Sequence, residues 1–156
     1  FELSLFTFSD ALNILSMPRN KLMVAFSHLH KNHILTIFER GKPRKYRLLN
    51  PLNFLLLSSG YVNPIRISQE RYLNIIYDVF RAFRNKYNLR SFAVYGSVAR
   101  GSAKAHSDID FIVISDDFKG SIASRLDEFI EIDYKVKDEI RWLIKNGIYV
   151  SLSIYP

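Results

Sequence analysis

The chain has 156 residues, 48% of them apolar, which favours one medium domain or two small ones with a packed core over disorder. Cysteine is absent, which excludes disulfides and thiolate metal sites. No apolar run approaches the length of a membrane span and no secretory signal is visible, so we predict a cytoplasmic protein without a membrane partner.

The net charge of +7 is unevenly distributed along the chain. Residues 1–66 hold nine Lys/Arg and three Asp/Glu, whereas residues 67–156 hold thirteen and twelve. A local basic excess attracts polyanions through steering and counterion release. The alternative is a basic, soluble domain without such a partner, and charge alone leaves both open.

The first fifty residues show a short helix, a tight turn, a second helix and a β-hairpin. "FELSLFTF" reads as a short strand, and "SDALNILS" as a helix with Ser9 as its cap and Asp10 in its first turn. "MPRN" breaks the chain before "KLMVAFSHLHKNH", which has helical spacing. "HILTIFE" and "RKYRLL" then read as strands around the turn "RGKP".

This order resembles the winged-helix DNA-binding family, with the second helix as the reader. The family's usual first helix is not visible; because the chain begins at Phe1 without a methionine, we expect missing residues upstream to hold it. The resemblance implies DNA contacts from the outward side chains of the second helix and from the hairpin tip. These residues are Arg19, Asn20, Lys21, Ser27, His28 and Lys31 on the helix, and Arg40, Lys42, Arg44 and Lys45 at the tip. A winged helix used for protein contacts is the alternative.

The stretch "HLHKNH" also suggests a metal site through His28, His30 and His33. No carboxylate or cysteine accompanies the three histidines, and they lie on the expected groove-facing surface. We therefore favour phosphate-contacting or plain surface histidines over metal ligands.

We predict domains at residues 1–50 and 67–156, joined by a linker at 51–66 that is bounded by prolines. The second domain begins with an amphipathic helix capped by Ser68. "SFAVY" and "DFIVIS" read as strands, and "SIASRLDEFIEIDYKVKDEIRWLIKNG" as a helix closed by Gly147. "IYVSLSIYP" is a final strand. The order predicts an α/β (α+β) domain with a small mixed sheet and packed helices.

The stretch "GSVARGSAKAHSDID" lies between the first two strands of that domain. Gly96 permits close approach of a ligand to the backbone, and Ser97 adds a hydroxyl at the start of a short helix, as a phosphate cradle requires. Strand alternation turns Asp108 and Asp110 to one face and Ile109 to the other. Two like charges on one face call for a cation between them, and hard oxygen ligands suit magnesium. The alternative is a turn-capping Asp108 and a solvated Asp110.

The full stretch "GSVARGSAKAHSDIDFIVIS" resembles the signature of the polymerase-beta-like nucleotidyltransferase superfamily, and its minimal nucleotidyltransferases in particular. The resemblance covers about residues 67–156. It assigns Gly96 and Ser97 to the triphosphate. Arg100 lies in the same loop, and the sequence leaves open whether it is a further phosphate contact or a surface arginine. The resemblance assigns Asp108 and Asp110 to Mg²⁺ or Mn²⁺ and to catalysis of nucleotide transfer, with ATP as the expected donor and a protein or nucleic-acid hydroxyl as acceptor.

Active members of that superfamily usually place a third carboxylate on a neighbouring strand. The matching strand here should be "IYVSLSIYP", which offers Ser151 and Ser153 but no acid. Asp133 and Asp138 lie in the preceding helix, and their spacing does not aim them at Asp108. The third ligand is therefore missing, supplied from elsewhere, or located beyond Pro156. The sequence leaves two functions open: a nucleotidyltransferase with a DNA-binding domain, or a DNA-binding regulator whose transferase-like domain only binds nucleotide. The resemblance also implies a helical protein partner in a toxin–antitoxin pair.

Overall fold

A computed structural model describes residues 4–60 and 67–156. The chain divides into two compact units. The first unit comprises residues 1–65 and 69–74, and the second comprises residues 66–68 and 75–156. Parts of the predicted first strand, at residues 1–3, and of the predicted linker, at residues 61–66, lie outside the described residues.

The first unit contains a three-stranded antiparallel sheet with strand order β1-β3-β2. Its elements are β1 (Phe6–Thr7), α1 (Phe8–Leu15), α2 (Arg19–Lys31), β2 (Leu35–Glu39), β3 (Lys45–Leu48) and α3 (Pro51–Ser58). These bounds confirm the two predicted helices and the predicted hairpin of "HILTIFE" and "RKYRLL". The core is closed by Leu22, Leu35 and Phe38, and the Phe26 ring packs against Phe8 and Tyr46 with centroids 5.1 Å apart in each pair.

The start of α1 differs from the sequence prediction, which assigned the cap to Ser9. Thr7 is the N-cap: its hydroxyl accepts from the Asp10 amide, and the Asp10 carboxylate accepts from the Thr7 amide at 2.8 Å. Ser9 lies inside the helix. The reciprocal bonds satisfy two amide donors at once, which a cap at Ser9 could not do with this acid. Because the Thr7 amide and the Thr7 hydroxyl both donate to this carboxylate, the pKa of Asp10 is lowered.

Residues 51–58, which we predicted to belong to a linker, instead form helix α3 within the first unit. Asn50 caps this helix, and Pro51 occupies its first position, where no amide donor is needed. The amide of Asn50 also donates to the Asn74 side chain at 2.8 Å, and the buried Asn53 donates to the Asn74 carbonyl at 3.2 Å. These bonds hold residues 69–74 in the first unit, although the sequence prediction placed them in the second domain.

The helix predicted from Ser68 onward begins later and in two steps. Glu70–Tyr72 form a 3₁₀ turn, and α4 (Leu73–Arg84) follows. Ser68 is not the N-cap of this turn, because Gln69 occupies that position. Within the described residues, the Gln69 side chain makes no capping hydrogen bond. The first two residues of α4 belong to the first unit and the remaining ones to the second.

The second unit contains a three-stranded mixed sheet with strand order β4-β5-β6. Its further elements are β4 (Ser91–Tyr95), α5 (Gly96–Ala99), β5 (Ile109–Ile114), α6 (Ile122–Lys145) and β6 (Val150–Tyr155). β4 runs antiparallel to β5, and β6 runs parallel to it, which confirms the predicted mixed sheet. The C-cap of α6 is Asn146 and not the predicted Gly147. Gly147 follows directly with a φ of 73°, so the glycine ends the helix one residue beyond the cap.

One face of this second sheet carries the core. Ile109, Phe111 and Val113 alternate along β5 and are fully buried. The Phe92 ring packs between Phe80 of α4 and Phe111, with centroid distances of 5.3 and 5.4 Å. The other face holds the alternate residues of the three strands, and these are half-buried or exposed. This second face, called the open face below, carries the side chain of Asp110. In the described part of the chain, no helix is long and apolar enough to cross a membrane.

Candidate functional site

The segment after β4 forms a tight loop around the short helix α5. Gly96 has a φ of 72° and Gly101 a φ of 73°, a left-handed conformation that glycine adopts without steric cost. The amide of Arg100 donates to the Gly96 carbonyl at 3.3 Å, and the amide of Ser102 donates to the Ser97 carbonyl at 2.9 Å. Val98 is fully buried and fixes the loop to the core. Gly96 and Ser97 are therefore held at the end of β4 by a rigid backbone.

Gly96 lies directly against the carboxylate of Asp110. A Cβ atom at position 96 would lie 2.3 Å from Oδ2 of Asp110, a distance that two unbonded heavy atoms cannot share. The strand register explains this contact, because Tyr95, the last residue of β4, is the direct partner of Asp110. Only glycine at position 96 lets the loop and the carboxylate approach this closely.

Asp108 and Asp110 flank the buried Ile109 at the start of β5. The Ile109 amide donates to the Tyr149 carbonyl at 2.9 Å, which fixes this end of the strand. Asp108 is exposed and Asp110 half-buried, in keeping with alternation that turns both away from the core. Before them, the Ser107 hydroxyl accepts from the Lys104 amide at 2.8 Å, so Ser107 closes the turn that precedes Asp108.

The register of the sheet places two further polar side chains beside Asp110 on the open face. Tyr95 is its partner on β4, and Ser151 is its partner on β6. The next row holds Ala93, Ile112 and Ser153. Because Ala93 and Ser153 are small, the open face next to the carboxylate is shallow and accessible. Sequence reasoning missed Tyr95 as a neighbour of the site, although its position directly before Gly96 was the available signal.

The structure confirms that β6 is the strand beside Asp110 and that it presents Ser151 and Ser153 there. Asp133 does not replace the missing acid. It lines a small cleft with Val150 and Leu152, which belong to the buried face of the sheet, whereas Asp110 lies on the open face. Asp138 lies exposed on the same helix, α6.

The residues present fit a divalent cation held by two carboxylates and by oxygens of a bound ligand. Two carboxylates, Asp108 just before β5 and Asp110 within it, suit Mg²⁺, which commonly takes one or two protein carboxylates plus substrate phosphates. Within residues 4–60 and 67–156, no group of three or more His, Asp or Glu side chains is arranged to hold a metal ion. Asp108 and Asp110 are therefore the two carboxylates that this end of β5 offers.

The other residues of the loop differ in how they are fixed. Arg100, predicted to contact phosphate, is the C-cap of α5 and is exposed. The His106 ring packs against Gly147, where a Cβ atom would lie 2.5 Å from Nδ1. The Ser68 hydroxyl packs against Gly101, where a Cβ atom would lie 2.6 Å from Oγ. Both glycines therefore permit contacts that support the loop from outside.

The ten residues predicted to contact DNA lie on α2 and around the tip of the β2–β3 hairpin. All are exposed except Lys45, which is half-buried and forms an ion pair with Glu39 at 2.7 Å. Arg19 stacks over the Phe8 ring with its guanidinium carbon 5.3 Å from the centroid. Most of these cations are therefore available to an external anion, whereas Lys45 is already neutralised.

The histidine cluster on α2 is dispersed. His30 hydrogen-bonds to the Glu70 carboxylate through Nε2 at 2.8 Å, and Glu70 also accepts from the Ile37 amide at 2.7 Å. The helix ends at Lys31, and His33 lies beyond it with a φ of 58°, so His33 does not share the helix with His28 and His30. His30 therefore has a carboxylate partner within the first unit.

Comparison with known proteins identifies the second unit. A family model described as "Nucleotidyltransferase domain" matches residues 76–153, which is half of the chain. Neither the curated proteins nor the solved structures contain a significant match. The matched range lies within the second unit and includes Gly96, Ser97, Asp108 and Asp110.

Proposed function

Because the chain belongs to the nucleotidyltransferase domain family, we propose that its second unit transfers a nucleoside monophosphate from a nucleoside triphosphate to a hydroxyl group. ATP is the expected donor, and a protein or nucleic acid is the expected acceptor. The contact between Gly96 and the Asp110 carboxylate carries this proposal. It puts the loop that would receive phosphates next to the carboxylates that would hold their counterion.

The triphosphate would lie along the loop from Gly96 to Arg100. Backbone amides at the start of a helix attract anions, and the Ser97 hydroxyl adds a donor. In the described structure, the side chain of Tyr95 makes no capping hydrogen bond to these amides. The exposed guanidinium of Arg100 can reach a phosphate from the end of α5. The loop thereby supplies donors at both of its ends.

Asp108 and Asp110 would hold Mg²⁺ or Mn²⁺ on the open face. A bound divalent cation neutralises phosphate charge and stabilises the attacking and leaving oxygens of an in-line displacement. The acceptor oxygen forms a bond to the α-phosphorus as the bond to pyrophosphate breaks, and the hydroxyl proton leaves to solvent. Ser151 lies where an additional carboxylate base would stand, so this chain's contribution is chiefly orientation and charge stabilisation.

A nucleotide-transfer assay tests the proposal directly. The protein is incubated with nucleoside triphosphates labelled at the α-phosphate, Mg²⁺ and cell extract, and transfer of label is measured. We expect labelling by the wild type and none by the double variant Asp108→Ala/Asp110→Ala. The matched control is Asp138→Ala, which removes an exposed acid elsewhere in the second unit. Equal labelling by wild type and double variant would rule against the proposal.

Calorimetry separates transfer from binding. ATP with Mg²⁺ should bind the wild type, and Asp108→Ala should abolish that binding. If binding is present without any transfer of label, the unit senses nucleotide and does not catalyse. That result would favour the regulator function over the enzyme.

We further propose that the first unit binds DNA, through a winged-helix arrangement of α1, α2 and the β2–β3 hairpin. The supporting observation is the exposure of cations on two elements, with Lys21 and Lys31 on α2 and Arg40, Lys42 and Arg44 around the hairpin tip. A helix and a β-ribbon with exposed cations match the two elements that reach a major groove and the adjoining phosphates. Together, the two units would couple nucleotide chemistry or sensing to DNA.

A salt-dependent mobility-shift assay tests DNA binding. Lys21→Ala and Arg44→Ala should each weaken binding and reduce the salt slope by about 1 if each contacts a phosphate. Lys119→Ala, in the second unit, is the matched control for loss of one exposed charge. Unchanged affinity in both test variants would favour the alternative use of this unit for protein contacts.

The family resemblance also supports a role within a toxin–antitoxin module, with a helical protein as partner. DNA binding by the first unit would then permit autoregulation. Co-purification of the full chain with a helical protein expressed from the neighbouring gene tests this proposal. A chain that purifies alone from its native host would count against it.

A further inference from the structure

Helix α6 leaves a row of large apolar side chains exposed. Leu126, Ile130 and Tyr134 are 56%, 68% and 68% exposed, and they follow each other at intervals of four residues. The opposite side of the helix contributes Ile132, Val136 and Leu143 to the core. Among the described residues, only this opposite side of α6 is covered. Within that part of the chain, the exposed row is therefore an unpartnered face of a helix that is 24 residues long.

Charged residues on the same face change sign along the helix. At 100° per residue, Ala123, Asp127, Ile130, Tyr134, Lys137 and Arg141 all fall on one side of α6. The acidic Asp127 precedes the apolar pair, and the basic Lys137 and Arg141 follow it. We define these six residues as the α6 face; it extends for about 27 Å along the helix. A face with an acidic start and a basic end is complementary to an antiparallel copy of itself.

We propose that the α6 face binds the α6 face of a second copy of this chain, antiparallel and about a two-fold axis level with Ile132. This register pairs residues whose numbers are symmetric about position 132. Ile130 then meets Tyr134 of the second copy, and Asp127 meets Lys137, each pair occurring twice because the interface is isologous. The apolar pairs are central and the charge pairs flank them, as in many protein interfaces.

Other registers of the same helix pair fit less well. An axis level with Ile130 would bring Lys137 against Ala123 of the second copy, which leaves Asp127 without a basic partner on the α6 face. A parallel arrangement would bring each Asp127 against its own equivalent and each Lys137 against its own equivalent. Like-charge contacts destabilise an association. An axis level with Tyr134 would pair Asp127 with Arg141 but would bring the apolar Ile130 against Asp138. The register centred on Ile132 is therefore the one that joins apolar pairs and opposite-charge pairs. Lys137 is already oriented along this face, since its Nζ lies 3.9 Å from the Tyr134 ring centroid.

Analytical ultracentrifugation of the full chain over a range of concentrations tests the association. The wild type should show a reversible monomer–dimer equilibrium. Asp127→Lys and Lys137→Asp should each raise the dimer dissociation constant about tenfold, and the double variant should restore it. Ile130→Asp should abolish the dimer, and its circular dichroism should match the wild type because Ile130 is exposed. Lys119→Asp is the control for reversing a charge outside the α6 face.

A wild type that remains monomeric at every concentration would overturn the proposal. This holds also if a different protein is found to bind the α6 face. If the double variant does not recover the wild-type dimer dissociation constant, the register is overturned. Single cysteines test the register independently, because the chain has no native cysteine. Ile130→Cys mixed with Tyr134→Cys should form a mixed disulfide faster than either variant links to itself. Faster self-linking of Ile130→Cys would contradict the axis at Ile132. These readouts do not depend on nucleotide transfer.

Discussion

Both units contain a three-stranded sheet, but the polar residues of interest relate to the two sheets differently. In the second unit, the pairing of β4, β5 and β6 brings Tyr95, Asp110 and Ser151 together in one row, and Gly96, directly after Tyr95, lies against the Asp110 carboxylate. In the first unit, the exposed cations lie on the outward surface of α2 and near a hairpin tip, and one of them, Lys45, pairs with Glu39. The contacts of the second unit are short and specific, whereas the charges of the first act at longer range and add up.

This difference predicts two kinds of response to mutation. A short contact is lost when one atom is added or removed, so substitutions in the row around Asp110 should have large effects. Exposed charges each contribute a small and similar part of the attraction to a polyanion, so substitutions in the first unit should have graded effects.

The largest expected effect comes from Gly96→Ala. The new methyl group would overlap the Asp110 carboxylate, and alanine is strained at this φ by about 1–2 kcal/mol. We expect nucleotide affinity, measured by calorimetry with ATP and Mg²⁺, to fall by about tenfold or more. Gly60→Ala is a matched control, since Gly60 has a similar φ of 66° but no heavy atom within 4 Å of the added Cβ. If Gly96→Ala bound nucleotide as tightly as the wild type, the contact between Gly96 and Asp110 would not be part of the nucleotide site.

A second large effect, of opposite sign, is expected from Ser151→Asp. The new carboxylate would stand beside Asp110 on the open face and complete a set of three acids. We expect affinity for Mg²⁺ or Mn²⁺ to rise about tenfold, because each added hard oxygen ligand strengthens such a site. Metal titration by calorimetry measures the change. Ser153→Asp, one row further from Asp110, should have a much smaller effect, and equal effects of the two variants would contradict the register.

Smaller, additive effects are expected at the hairpin of the first unit. Arg40→Ala and Arg44→Ala should each lower DNA affinity about threefold, and the double variant about tenfold, since separate phosphate contacts contribute independently. Lys45→Ala should change affinity less, because Glu39 already pairs with this lysine. Mobility-shift titrations at two salt concentrations measure these changes. A single variant that abolished binding would show that the first unit, too, depends on one specific contact.

The smallest expected effect concerns the capping box of α1. Thr7→Ala should lower the free energy of unfolding, measured by urea denaturation, by about 1 kcal/mol, whereas Ser9→Ala should leave it nearly unchanged.

The lowered pKa of Asp10 predicts that the stability of the protein depends on pH. Its stabilising contribution is fully present above the ordinary carboxyl pKa of 3.8 and is lost as the pH falls through the lower folded-state pKa. Asp10→Asn should therefore lose stability at neutral pH and show a weaker acid transition than the wild type.

The helices and strands of both units could be predicted largely from local patterns. Capping signals located α1, apolar periodicity located α2 and α6, and runs of residues typical of strands located β4 and β5. Capping was less predictable, because Ser9 and Thr7 are both suitable cap residues and only the reciprocal bond with Asp10 distinguishes them. The helix α3 was missed because its prolines and its Ser-Ser-Gly sequence are typical of a linker, while its buried Asn53 depends on Asn74, which is distant in the chain.

The sequence by itself determined the Gly-Ser pair, the two aspartates on either side of Ile109, and the absence of an acid in "VSLSIY". Each of these follows from residue type and local spacing. Only the tertiary structure decided that Gly96 touches Asp110, that Ser151 lies beside Asp110, that residues 69–74 join the first unit, and that one face of α6 is left uncovered. These depend on strand register and on the packing of segments far apart in the chain, and local patterns carry no information about which distant partner a residue will meet.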